Sequence, residues 1–319
     1  MTFVSVLVPS YNHADFIGDA VRSALDALTV ADVDGVVQVL DDGSNDHTLE
    51  VLAAVDDPRL QVNAQDNAGA HVAFNRLLAN ARGDFIFLLN SDDLYAPDRI
   101  GKILRTFHTA PDAVAVGTWL EVIDTGGAQL AIKEGWRTLP PWPKRPGAGL
   151  SDLGDPALAL LETNFLSTTS NIAFRGSVLL DRPPRFEDLR YCHDWDFFLQ
   201  LCRRGPLLLL DEPLVSYRVH PTNTLKETEA DGTARMRFEI LWLLARHARA
   251  LLTSVEPQRD FDRRDLDQRL WRSTPHFGAE SLLLQLLALA NDPPAFEALL
   301  DLDHPFRCAA ELALREAAG

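Results

Sequence analysis

The stretch Gly83-Asp84-Phe85-Ile86-Phe87-Leu88-Leu89-Asn90-Ser91-Asp92-Asp93 constrains this chain more than any other. An apolar run from Phe85 to Leu89 stops abruptly, and adjacent aspartates follow. A run so short and so apolar suits a strand covered on both faces, as in parallel sheets. In open α/β sheets, ligands bind beyond the C-terminal ends of the strands. Two carboxylates delivered there suit a hard divalent cation shared with substrate phosphates. The same pair, followed by Pro97, also suits the start of a helix.

The surrounding pattern supports the strand. Apolar periodicity predicts strands over 4–8, 36–40, 60–63, 85–89, 113–116, 170–174 and 207–210. Helical spacing falls between them, over 15–28, 48–55, 70–81, 97–109, 155–161 and 194–203. Such alternation predicts an α/β domain, a mostly parallel sheet flanked by helices. Residues 135–149 are too rich in Pro and Gly for a regular element and read as a loop. From about residue 233 the alternation ends, and helices are expected over 234–252, 263–271, 279–290, 294–301 and 306–317. The expected organisation is therefore 1–232 as the α/β domain and 233–319 as a C-terminal helical subdomain.

The formal net charge of −16 argues against nucleic acid or anionic lipid as a partner. No apolar stretch approaches the roughly 18 residues of a membrane span. The N-terminus lacks a basic region and cleavage site and reads as a first strand. Cys192, Cys202 and Cys308 form no metal-type spacing and suit free thiols in a reducing compartment. A cytoplasmic location is expected.

Each strand end carries polar residues. Pro9-Ser10-Tyr11-Asn12 follows the first strand, and Asp41-Asp42-Gly43-Ser44-Asn45-Asp46-His47-Thr48 follows the second. Gly43 permits a sharp turn, and Ser44 or Asp46 can cap the next helix. That leaves Asp41 and Asp42 without a structural reason. A carboxylate there can accept from a base N–H such as uracil N3. Asn67-Ala68-Gly69 then leads into a helix whose N-terminus could face a ligand. No Gly-x-Gly-x-x-Gly occurs, which disfavours a dinucleotide dehydrogenase. A phosphatase of the Asp-x-Asp-Gly-Thr type fails because Leu40 stands where its nucleophile would be.

Taken in order, Pro9–Asn12, Asp41–Thr48, Asn67–Gly69, Gly83-Asp84 and Ser91–Asp93 resemble family 2 inverting glycosyltransferases of the GT-A fold. The resemblance covers roughly the first 225 residues. It implies a nucleotide-sugar half over about 1–118 and an acceptor half over about 119–232. It also implies a nucleotide-sugar donor, UDP-linked by preference, and a Mn²⁺ or Mg²⁺ ion. Pro9, Tyr11, Asp42, Asn67 and Gly69 match the nucleotide pocket. Asp92 and Asp93 match aspartates that contact ribose and the metal-bound diphosphate, with Asp93 as the direct metal ligand. Many relatives carry Arg near Phe74, which Arg76 or His71 could replace.

The second half matches as well. Tyr191-Cys192-His193-Asp194-Trp195 resembles the acceptor-side motif, with Asp194 at the general-base position and His193 where Glu is commoner. Asp194 also suits a helix N-cap. Ser216-Tyr217-Arg218-Val219-His220 resembles a segment whose His reaches the metal. His193, Trp195, Trp136 and Trp142 are candidate acceptor contacts, the last two equally readable as pins for a Pro-rich loop. The implied activity is transfer of a sugar to an acceptor hydroxyl of a saccharide or lipid-linked saccharide, in surface polysaccharide or glycoconjugate synthesis. Work at the inner membrane face and a homodimer through the C-terminal helices fit the same picture. The alternative is a catalytically inert nucleotide-sugar-binding subunit. The joint presence of Asp42, Asp92, Asp93, Asp194 and His220 argues against it.

Overall fold

The computed structural model describes residues 2–134, 156–221, 223, 230–253 and 280–316. The chain divides into two compact units. One takes the described parts of Met1–Leu153, Phe165–Phe186 and Gln200–His220, the other those of Gly154–Asn164, Glu187–Leu199 and Pro221–Gly319. The division expected at 232/233 cuts the chain once. The observed units interleave, because 154–164 and 187–199 group with the helical tail.

The first unit is built on a nine-stranded sheet. Its parallel side orders β3 (Leu60–Ala64), β2 (Asp34–Asp41), β1 (Phe3–Ser10) and β4 (Phe85–Leu88). β4 is the apolar run of the sequence, with Ile86, Phe87 and Leu88 all buried. Its other neighbour is β8 (Ala173–Arg175), antiparallel both to β4 and to β6 (Ala115–Ile123). β9 (Leu207–Arg218) runs parallel to β6 and antiparallel to the two-residue strand β5 (Leu94–Tyr95). β7 (Gln129–Lys133) pairs with β6 as an antiparallel hairpin.

The helices of this unit are α1 (Ile17–Ala31), α2 (Thr48–Ala53), α3 (Ala70–Asn80) and α4 (Arg99–Thr109). α1 shows why they form. Ile17, Ala20, Val21, Ala24, Leu25 and Leu28 recur at helical spacing, and all are buried in the core shared with β1, β2 and β4. Asp32, in the left-handed region at φ 52°, ends it by donating its N–H back to Thr29 and Leu28 carbonyls. β9 extends well past its expected end at residue 210. Pro213 does not stop it, because the register with β6 slips beside Trp119, opposite the proline.

The second unit contains α5 (Pro156–Glu162), α6 (His193–Cys202, through Leu199), α7 (Ala230–Thr253), α8 (Glu280–Leu289), α9 (Pro293–Ala298) and α10 (Pro305–Glu316). α7 packs against α8 and α10. Trp242 is fully buried and stacks on Phe296 at 5.0 Å, its indole N–H donating to the Phe296 carbonyl at 3.1 Å. The helix expected over 263–271 and the loop over 135–149 lie outside the described residues. Among those described, no helix is long and apolar enough to cross a membrane.

β7 ends in a buried lysine. Lys133 is 1% exposed and its Nζ donates to the Phe165 carbonyl at 2.5 Å. Burial lowers its pKa to about 7. An unfolded lysine titrates near 10.4, so between these values the unfolded chain binds a proton that the folded chain lacks. Stability therefore rises with pH across that window. In denaturant unfolding, the wild type should gain about 2 kcal/mol more than Lys133→Met between pH 7 and pH 9. Equal slopes would show that Lys133 keeps its proton in the fold.

Candidate active site

The C-terminal ends of β1, β2 and β4 lie side by side, since Ser10 pairs with Asp41 and Leu7 with Leu88. The loops that follow are stitched together by short polar side chains. Asn12, at φ 52°, donates its backbone N–H to Ser44 Oγ at 2.8 Å and accepts from Asn45 N at 2.9 Å. His13 N donates to Thr48 Oγ1 at 3.1 Å, and Ala14 N to Asp46 at 3.0 Å. The first loop is thus held along its length by the second.

Asp41 and Asp42 have separate duties. Asp41 is fully buried and folds the turn, accepting from Ser44 N at 2.9 Å and Ser44 Oγ at 2.6 Å. Asp42 reaches the third loop, accepting from Gln65 Nε2 at 2.6 Å, Ala68 N at 2.9 Å and Gly69 N at 2.8 Å. A Cβ at Gly43 would meet Asn67 N at 2.8 Å, and both Gly43 (φ 76°) and Gly69 (φ 91°) adopt the left-handed region. These two glycines let the loops close on the Asp42 carboxylate. Pro9 is half-buried while Tyr11 and Asn67 are exposed around this junction.

Beyond β4 the two aspartates part. Asp93 turns inward and is fully buried. One oxygen accepts from Arg218 N at 3.0 Å, the other from Ser170 Oγ at 2.5 Å and Thr168 Oγ1 at 3.0 Å. Burial, and then the charge of Asp92, push its carboxyl up to about 7. Asp92 instead meets His220 Nε2 at 2.9 Å. His13 completes a cluster: one ligand atom from each of His13, Asp92 and His220 lies within 4.8 Å of the others. The His13 ring sits edge-on to His220 at 5.8 Å, and its Nδ1 is 2.7 Å from Ser91 Oγ. Burial lowers the His13 pKa against the pull of Asp92, which favours the neutral, metal-ligating imidazole.

Asp93, read as the direct metal ligand, is engaged by protein donors, while Asp92 stands beside His220. His13 was missed because a lone His in a loop carries no spacing signal. Its one clue was its place next to the Pro9–Asn12 segment. The donor set of two imidazoles and one carboxylate fits Mn²⁺ better than Mg²⁺, which demands oxygen.

In the second unit, α6 begins at His193, so Asp194 lies within the first turn rather than capping it. Asp194 is 8% exposed, and its carboxylate accepts from Trp195 N at 2.6 Å and Asn164 Nδ2 at 3.3 Å. Burial raises its pKa, opposed by His193. His193 is half-buried. Trp195, expected to meet an acceptor, is buried, and its indole N–H donates to the Leu160 carbonyl at 2.6 Å. Trp136 and Trp142 lie outside the described residues. Phe74, near which the resemblance implied an Arg, is core, stacked on Phe186 at 4.3 Å. Arg76 donates to Gln65 Oε1 at 2.7 Å. A depression of ≈ 880 Å³ lined by Phe3, Leu28, Asp34 and Arg59 opens at the opposite strand ends and holds none of these groups.

A sheet of this topology, with carboxylates and imidazoles gathered at its C-terminal strand ends, is the GT-A architecture of glycosyltransferases. Residues 5–152 match the model of glycosyl transferase family 2. An uncharacterized glycosyltransferase of Nostoc sp. is 28% identical over 228 residues, covering 69% of this chain and 66% of that protein. Succinoglycan biosynthesis protein ExoO of Rhizobium meliloti is 38% identical over 132 residues, covering 40% of this chain but 36% of its own length. Residues 1–349 of S. aureus TarS in complex with UDP-GlcNAc superpose with a TM-score of 0.63 at 18% identity, covering 99% of this chain and 90% of that one.

Asp42 has a structural duty independent of any ligand. Asp42→Ala leaves three donors without their acceptor and should cost about 1–3 kcal/mol in denaturant unfolding without nucleotide. A loss near zero would show that water replaces the carboxylate.

Proposed function

We infer that the protein is an inverting glycosyltransferase that moves a sugar from a nucleotide-diphosphate donor, UDP-linked by preference, to an acceptor hydroxyl. The observation that carries this reading is the His13–Asp92–His220 cluster at the end of the strands that present the Asp42 junction. The TarS complex with UDP-GlcNAc and the ExoO likeness support a UDP-sugar donor and a role in polysaccharide synthesis, with a saccharide or lipid-linked saccharide as acceptor. An active enzyme is favoured over an inert binding subunit because base and ligand candidates are all present.

His13, Asp92 and His220 would hold a divalent ion, which would supply Lewis-acid stabilisation to the diphosphate. Pro9, Tyr11, Asn67 and Gly69 surround the nucleoside, and Asp42 both shapes that pocket and offers an acceptor to a base N–H. The acceptor hydroxyl is a weak nucleophile near neutral pH. Asp194 removes its proton as the new bond to the anomeric carbon forms and the bond to the diphosphate oxygen breaks. A single displacement inverts that carbon, and no second carboxylate is required. The raised pKa of Asp194 brings it nearer to the pH at which a base works best.

Two measurements test this. Calorimetry with UDP should give Mn²⁺-dependent binding that His13→Ala, Asp92→Ala and His220→Ala each weaken by roughly tenfold or more. If Asp93→Asn alone weakened it while those three did not, the ligand set would be misassigned. In turnover assays with a UDP-sugar panel, Asp194→Asn should abolish transfer and leave UDP affinity intact. The wild-type rate should fall with acid, through a pKa above the ordinary aspartate range. Transfer by Asp194→Asn at the wild-type rate would remove Asp194 as the base.

A further inference from the structure

The reading of Asp194 as the base raises the question of what aims it. The answer lies in α7, outside residues 5–152 that match the family model. Glu239, on α7, is fully buried. Its Oε1 accepts from Arg190 N at 3.0 Å, and its Oε2 from Tyr191 N at 2.8 Å and Cys192 N at 3.2 Å. These are three successive amides of the segment that runs directly into α6, two residues short of Asp194. Arg235, one turn earlier, donates to the same carboxylate at 3.0 Å, and Arg307 of α10 stands at 3.9 Å.

A carboxylate taken wholly out of water is retained only where donors replace its hydration. Here most of those donors are backbone N–H groups, so the contact grips the chain itself. Two further α7 residues hold the same segment. Arg246 pairs with Asp196 at 3.0 Å and with Glu187 at 2.8 Å, and His247 Nε2 meets Asp196 at 2.7 Å. The stretch 187–196 is thus gripped on both sides of Asp194 by one helix. Asp194 itself accepts from its neighbour's N–H at 2.6 Å and from Asn164 at 3.3 Å. Its direction follows from the backbone beneath it.

We propose that Glu239 is a positioning residue for the general base: its carboxylate clamps the backbone at 190–192 and so sets where Asp194 projects. The helical tail then belongs to the catalytic apparatus of this chain. Glu239→Gln keeps the volume but turns an NH₂ toward an amide N–H, while Glu239→Asp keeps the charge one methylene short.

The test measures UDP release from a UDP-sugar panel with Mn²⁺, UDP affinity by calorimetry, and backbone amide exchange of the free protein. Glu239→Gln should lower kcat by roughly 10- to 100-fold with UDP affinity within about twofold of wild type, and Glu239→Asp should recover part of kcat. Exchange should quicken over 187–196 and stay unchanged in β1, β2 and β4. An unchanged kcat overturns the proposal, as does a parallel loss of UDP affinity, which marks a merely structural role. Undiminished protection of 190–196 overturns it without any substrate. If Glu239→Gln does not fold, Glu239→Asp carries the same comparisons. Asp194→Asn, run alongside, separates the two readings. An active Asp194→Asn removes the base, whereas an inactive one beside a fully active Glu239→Gln removes only the clamp.

Discussion

The Asp93 carboxylate is the contact on which the first unit's site depends. It has no access to water, so its charge must be met inside the fold. The donors that meet it come from two distant places: Thr168 and Ser170 on the turn before β8, and the backbone N–H of Arg218 at the end of β9. Fastening Arg218 N fixes the exit of β9, and His220 two residues later is thereby delivered beside Asp92. Arg218 reinforces this by donating from Nε to the Asp92 carbonyl at 2.9 Å. The buried aspartate builds the frame, and its half-buried neighbour meets His220.

The same division recurs at Asp41 and Asp42. Asp41 folds its own turn through Ser44, and Asp42 reaches across to the Ala68–Gly69 amides. In both pairs the successive side chains meet different partners. This resolves the cost of adjacent like charges in a protein already at −16. The inward carboxylate is matched by donors, and at Asp93 it is held close to protonation at neutral pH.

In the second unit the buried charges are gathered along α7. Glu239, Arg246 and His247 each meet a partner within the stretch that carries Asp194. The apolar side of α7, through Trp242 on Phe296, anchors it to the rest of the tail. The packing of the tail and the grip on the stretch 187–196 are therefore two faces of one helix.

Much of the architecture was legible in local pattern. The apolar run at 85–89, the alternation around it and the helical spacing of α1 followed from periodicity alone, because burial on one face or two imposes a local period. β5 and β7 were not legible: one is two residues long and the other is partly exposed, so neither shows a period. The length of β9 was hidden by Pro213, whose tolerance depends on a register slip with β6. Residue types and their order determined by themselves that acids and imidazoles would collect at the strand ends. Only the tertiary structure decided which of Asp92 and Asp93 turns outward, that His13 joins His220, and that a glutamate of the tail holds the segment bearing Asp194. Those outcomes rest on partners far apart in sequence, and local periodicity carries no information about which distant donor will meet a buried charge.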